Sequence, residues 1–182
     1  MRFQRVALVA AADGIEKGGG EMAEPNEEQK QLLKQRRIAS VATIGADGMP
    51  HLTSVWFVYE NGALYLAIPS SSAKGKNLSA NANVAVMVDV RKSYKEAGLT
   101  AIGEAELVFG DQAASIVRRV HEKYLSLEAL DDPQVGPVFA AVDDLAVRLV
   151  PRKWLSWDMG QLDQQVFGGA IARNGYLKAL EP

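Results

Sequence analysis

Pro50-His51-Leu52-Thr53-Ser54-Val55-Trp56-Phe57-Val58-Tyr59-Glu60-Asn61-Gly62-Ala63-Leu64-Tyr65-Leu66-Ala67-Ile68 is the stretch whose reading decides the fold. Two β-like runs, His51–Tyr59 and Ala63–Ile68, flank an Asn-Gly pair. That pair between apolar runs signals a tight hairpin, because both turn residues must accept positive φ. The second run empties into Pro69-Ser70-Ser71-Ser72-Ala73-Lys74-Gly75-Lys76-Asn77-Leu78, a Pro/Ser loop opening a helix near Ser72. Serine hydroxyls, the N–H groups of a first helical turn and two lysines converge there, which suits an anion. The plainer reading is a Ser-capped, solvated helix start.

Outward from this hairpin, the chain alternates strands and helices. Asn26 to Arg37 reads as a helix, with Asn26 as cap, Glu27 and Glu28 in the first turn and cations near the end. Strands are expected over Ile38–Ile44, Val84–Val90, Leu99–Val108, Leu145–Val150 and Lys153–Trp157. Asp47-Gly48 marks a further hairpin. A short helix is expected over Ala73–Asn81 and an amphipathic one over Asp111–Leu127. Asp131-Asp132-Pro133 and Gly136-Pro137 mark a loop. About six strands with hairpin links and two or three helices imply a mainly β chain with α, an α+β protein built on a closed or split barrel.

Length and composition narrow the function. One hundred and eighty-two residues, 48% of them apolar, suit one domain with a substantial core. A formal charge of −2 with both signs mixed argues against nucleic acid as a partner. No apolar run reaches the length of a membrane span, and a cytoplasmic protein is expected. The absence of cysteine excludes disulfides, thiolate metal sites and a cysteine nucleophile. Two histidines, His51 and His121, are too few for a histidine-built metal site unless carboxylates supply the rest. Residues 1–24 read as an extension: Met1–Arg5 and Val6–Ala12 imitate a secretory signal at its short limit, Gly18–Gly20 form a joint, and Met22 offers a second start. The stretch after Gly160 is weakly patterned and reads as a tail, residues 161–182.

No nucleophile–base arrangement is visible, and esterase, zinc-protease and Walker-type spacings are absent. Asp131/Asp132 and Asp143/Asp144 read as solvated turns, and Glu104 with Glu106 as an exposed sheet face. An anion cradle without catalytic side chains fits a cofactor that carries the chemistry itself.

Three blocks carry a resemblance: Gly48-Met49-Pro50-His51 with Val55-Trp56-Phe57; Ser72-x-Lys74-x-x-Asn77-Leu78; and Arg148-x-x-Pro151-x-x-Trp154-x-Ser156-Trp157-Asp158. In this order they resemble the pyridoxamine 5'-phosphate oxidase-like FMN-binding split-barrel family, in particular its deazaflavin-dependent branch. The resemblance covers about Arg37 to Gly160 and places the cofactor domain at 25–160. It implies a six-stranded split β-barrel, a homodimer, and FMN or a deazaflavin in a groove between subunits.

Position by position, the resemblance gives Ser72 and Lys74 to the cofactor phosphate, with Lys76 and Asn77 beside them. Thr53, Ser54, Val55 and Trp56 fall on the strand along which the ring lies, and Ala67 and Ile68 at the strand end near the phosphate. Trp157 matches a tryptophan contacting the cofactor, with core packing as its alternative; for Trp154 core packing is preferred. Two departures count against vitamin B6 oxidation. Thr53 and Val58 replace a ring-bracketing arginine and lysine, and Gly160–Phe167 lacks the Arg-x-His substrate motif. The expected function is hydride transfer to or from a small apolar substrate. The alternatives are a deazaflavin-dependent reductase of the same fold and a non-catalytic flavin- or haem-binding module. FMN suits Ser72 and Lys74; a deazaflavin tail would use Lys76, Arg91 and Lys92.

Overall fold

The computed structural model describes residues 24–141 and 144–179. The expectations for the first 23 residues, and that for the Asp143 side of the Asp143/Asp144 pair, lie outside the described residues. Eight strands run β1 (Ala39–Ile44), β2 (Pro50–Val55), β3 (Phe57–Glu60), β4 (Ala63–Pro69), β5 (Asn83–Val90), β6 (Ala97–Val108), β7 (Asp144–Leu149) and β8 (Lys153–Asp158). The helices are α1 (Glu27–Lys34), α2 (Ala73–Ala80), α3 (Gly110–Tyr124), α4 (Leu127–Asp131), α5 (Gly136–Ala141), α6 (Met159–Phe167) and α7 (Ala170–Asn174).

The strands form one curled antiparallel sheet in the order β2-β1-β5-β6-β7-β4-β3, with β8 also on β6. Because β3 follows β2 in the chain, the path returns on itself and makes a split barrel. Alternation fills its interior: Val41, Phe57, Leu64, Leu66, Val86, Val88 and Val147 are at most 1% exposed. Leu33 of α1 and Leu78 of α2 enter the same core from the two ends. Asn26 caps α1 in a reciprocal box with Gln29, at 2.9 Å in both directions. Among the described residues no helix is long and apolar enough to cross a membrane.

The Asn-Gly turn forms as expected, with Asn61 at φ 50°, Gly62 at φ 77° and Glu60 paired with Ala63. The single strand expected over His51–Tyr59 does not form. It divides at Trp56 into β2, which pairs with β1, and β3, which pairs with β4. The reason lies far along the chain. The Tyr124 hydroxyl accepts the Phe57 N–H at 3.4 Å, and the carbonyls of Phe57 and Arg37 compete for its hydrogen. A side chain from α3 thus takes the backbone groups at the crossing, and the chain passes from one sheet edge to the other.

Two stretches read as irregular are ordered. Gly136-Pro137, expected in a loop, opens α5, and the helix expected over Asp111–Leu127 ends at Tyr124, after which Ser126 caps α4 through the Ala129 N–H. In the tail, Asp158 caps α6 through the Gln161 N–H at 2.8 Å. Asp163, 3% exposed, then accepts the N–H groups of Ile171 and Ala172, both at 3.0 Å, at the start of α7.

Candidate functional site

The division at Trp56 makes the site. β3 pairs with β4 only from Phe57–Leu66 onward, so the far end of β4, Ala67 to Pro69, has β7 on one edge and no strand on the other. β2 likewise pairs with β1 on one edge alone. β2 and β4 approach each other without pairing, so these two free edges bound the split of the barrel, called the cleft below, and the chain leaves β4 at Pro69 to build the N-terminal turn of α2.

That turn is tightly made. Ser72 accepts the Gly75 N–H at 3.2 Å and donates its own hydrogen to the Pro69 carbonyl at 2.7 Å. Gly75 is required there, because a Cβ would stand 2.7 Å from the Ser70 carbonyl and 2.8 Å from that of Pro69. The N–H groups of Ala73 and Lys74 make no hydrogen bond among the described residues, as expected of a first turn. Neither Lys74 nor Lys76 is held in an ion pair there; Lys74 is half-buried and Lys76 exposed. Free N–H groups, a helix N-terminus and one adjacent ammonium suit an anion. Ser72 serves as helix cap in this arrangement, with its hydroxyl hydrogen already used.

The other expected residues divide between the cleft and the core. Thr53 faces inward from β2, opposite Val41, and its hydroxyl oxygen is buried without a partner; the same holds for Nδ1 of His51. Ser54 lies on the opposite, exposed face, and Val55 is buried at 8% exposure. Trp56 stacks on Tyr124 with centroids 5.0 Å apart and on Phe139 at 6.2 Å. Ile68 is fully buried in the barrel, while Ala67 packs under α3. Asn77 donates to the Thr43 hydroxyl at 3.0 Å and so ties α2 to β1. Trp154 is 3% exposed and belongs to the core.

Trp157 stands apart from all of these. Its ring lies against Gly98, where a Cβ would come within 2.5 Å of the indole nitrogen, and the side chain is 40% exposed. From β8 to β2 the sheet crosses β6, β5 and β1. Four strand spacings amount to about 19 Å, so Trp157 and Thr53 do not meet within one chain.

A group with a phosphate and a flat ring fits what is present. Lys74 and the first turn of α2 would hold the phosphate, and the unpaired edge of β2 with the orphaned Thr53 hydroxyl would meet the ring. No basic side chain stands at Thr53 or at Val58, which is 6% exposed.

Sequence reasoning missed the aromatic group behind the crossing. His121, 8% exposed, meets Phe139 edge-on at 5.0 Å and Trp56 at 6.3 Å. Its only signal was a histidine on the apolar face of α3. Nearby, the Lys123 ammonium lies 4.0 Å from the Phe57 ring centroid, and burial lowers its pKa to about 8. No group of three or more potential metal ligands occurs among the described residues.

Comparison with known proteins gives a consistent result. The sequence profile of the family described as pyridoxamine 5'-phosphate oxidase matches residues 25–155. No curated protein matches the chain. A conserved hypothetical protein from Mycobacterium tuberculosis is similar in structure, with 24% identity, a TM-score of 0.62, and 90% of this chain and 94% of the other covered. An F420 reductase shares 23% identity at a TM-score of 0.55, covering 71% and 98% of the two chains. The haem storage protein HutZ from Vibrio cholerae shares 20% at 0.56, covering 71% and 91%. At these identities the likeness speaks to the fold.

Proposed function

The chain belongs to the pyridoxamine 5'-phosphate oxidase family, and on that premise we propose that it is a homodimeric oxidoreductase using FMN, or a deazaflavin in its place. The observation that carries the reading is the cleft between the unpaired edges of β2 and β4, with the first turn of α2 and Lys74 at its end. Bound there, the cofactor would supply hydride transfer to or from a small apolar substrate. The protein's part is to neutralise the phosphate with Lys74 and the Ala73 and Lys74 N–H groups, to orient the ring along β2, and to exclude water.

Water exclusion supports the dimer. The outward face of β2-β1-β5-β6-β8 carries Leu52, Ala42, Ala85 and Ile102 in one row, ending in Lys153, and Met87 and Leu155 among Ser54, Ser40 and Thr100 in the next. No helix packs across this face among the described residues, and Leu52 is 67% exposed. An open sheet face carrying these apolar side chains is buried by a second copy more economically than by water. A two-fold axis through it would also carry Trp157 of one subunit toward β2 of the other, the approach one chain alone does not make. The same reading counts against pyridoxamine phosphate as substrate, because Thr53 and Val58 offer no cation to its phosphate.

The test joins three measurements on the full chain: sedimentation, the absorption spectrum with FMN or deazaflavin bound, and turnover with a reductant and a panel of acceptors. A dimer that binds one cofactor per chain and turns over is expected. A monomer binding flavin at full stoichiometry contradicts the dimer, and binding without turnover identifies a carrier or sensor.

A further inference from the structure

Beside the cleft lies a cavity of about 830 Å³, floored by the ends of β6 and β7 and walled by α3, α4 and α5. Its size falls in the range of about 300–1,000 Å³ usual for small-molecule sites. Val108, Val117, Leu130, Phe139 and Leu145 make its walls apolar. Of the charged residues that line it, Arg118 is bonded to Glu122 at 2.8 Å, and Asp131 adds a carboxylate at the end of α4. Ser70, in the loop that leads into α2, borders it. At the other side Phe139 stacks on Trp56, the residue at which β2 crosses to β3. The cavity therefore touches both ends of the proposed cofactor cleft.

A second observation concerns its mouth. Phe109 occupies the N-cap of α3 and makes no side-chain cap bond. A short polar residue at that place would stabilise the helix. Gly110 follows at φ +64°, a conformation that side chains rarely adopt. Phe109 and Leu127, which both line the cavity, are 70% and 71% exposed. The chain thus forgoes a cap on its fifteen-residue helix and holds a large apolar ring at the opening of an apolar cavity.

We propose that this cavity binds the substrate of the reaction proposed above, an uncharged apolar small molecule, over which Phe109 and Leu127 close. The inference rests on that reading for the word substrate; the pocket itself rests on the cavity and its mouth. An anionic ligand would find Arg118 already held by Glu122, while an apolar one would bury Phe109 and Leu127 with it.

The test titrates the full chain with the neutral fluorescent probe N-phenyl-1-naphthylamine, alongside FMN and deazaflavin titrations. One probe per chain is expected. Ala114→Trp, at an exposed residue lining the cavity, should weaken the probe at least tenfold, and Phe109→Ala about threefold. Cofactor affinity should stay within about twofold in both variants. Unchanged probe affinity in both variants overturns the proposal. So does a loss caused by Leu52→Glu with none from Ala114→Trp, because the probe then reports the open sheet face. A wild type that binds the probe as expected but neither cofactor overturns the function reading and leaves a pocket for apolar molecules.

Discussion

The two halves of the barrel treat their outer faces differently. Over β7, β4 and β3, helix α3 lays Ala113, Ile116 and Val117 against Ala146, with Tyr65 and Ala67 packed alongside, so both faces of that half are covered within the chain. Over β2, β1, β5, β6 and β8 the outer face mixes Leu52, Ala85, Ile102, Met87 and Leu155 with Ser54, Ser40, Thr100 and Lys153, and among the described residues the helices that touch these strands, α1 and α2, send Leu33 and Leu78 into the interior instead. Both halves share one interior. The difference shows that one chain can cover one half of a sheet with its own helix and leave the other half open, and the two treatments meet at Trp56, where β2 passes to β3.

Substitutions on the two faces sharpen this contrast. Ile116→Ala, under α3, removes side-chain volume at a residue 2% exposed. It should lower unfolding free energy by about 3 kcal/mol in a denaturant titration, with the oligomeric state unchanged. Leu52→Glu, on the open face, should do the reverse, with sedimentation showing a monomer and chain stability kept within about 0.5 kcal/mol. If Leu52→Glu unfolds the chain or leaves the association intact, the halves do not differ as described.

Smaller effects are expected inside the cleft. Thr53→Val removes a buried hydroxyl that has no partner. It should stabilise the cofactor-free chain by about 1 kcal/mol while weakening cofactor binding; stabilisation without weaker binding would assign Thr53 to packing alone. Lys123 tests the covered half by pH. Burial holds its pKa at about 8 against an ordinary 10.5. Between these values the unfolded chain binds the proton that the folded chain has lost, so stability should rise with pH through that window. Below pH 8 both states are charged and the folded state bears the full penalty. The open side of the ammonium and the Phe57 face reduce it, so Lys123→Met should gain about 1 kcal/mol at neutral pH and flatten the rise. A rise that persists in Lys123→Met would point to another group.

What the sequence disclosed follows from how local each cause is. Asn61-Gly62 was legible because the turn's chemistry resides in those two residues, and Ser72 because a cap and its partner are three residues apart. The break at Trp56 was not, since the Tyr124 hydroxyl that sets it lies 67 residues away from Phe57. The tail helices were missed for a related reason: Asp163 has to be buried before its two bonds to α7 mean anything. The place of Lys74 in a first helical turn was legible from the Ser72 cap before it. Asn77 and Ile68 share that stretch but face Thr43 and the core, which only packing decides. Trp157 matched the family's pattern while lying four strands from β2, a separation that only the pairing of the strands reveals.

The central claim, that the first turn of α2 holds a cofactor phosphate, has one direct measurement. Wild type and Lys74→Ala are titrated with whichever cofactor the wild type binds and with its phosphate-free form, riboflavin in the case of FMN. A hydrogen bond to an ionised partner contributes about 1.5–3 kcal/mol, so Lys74→Ala should weaken the phosphorylated form by about ten- to a hundredfold and leave the phosphate-free form nearly unchanged. Equal losses for the two forms, or none for either, would contradict the account and make Lys74 an ordinary helix lysine.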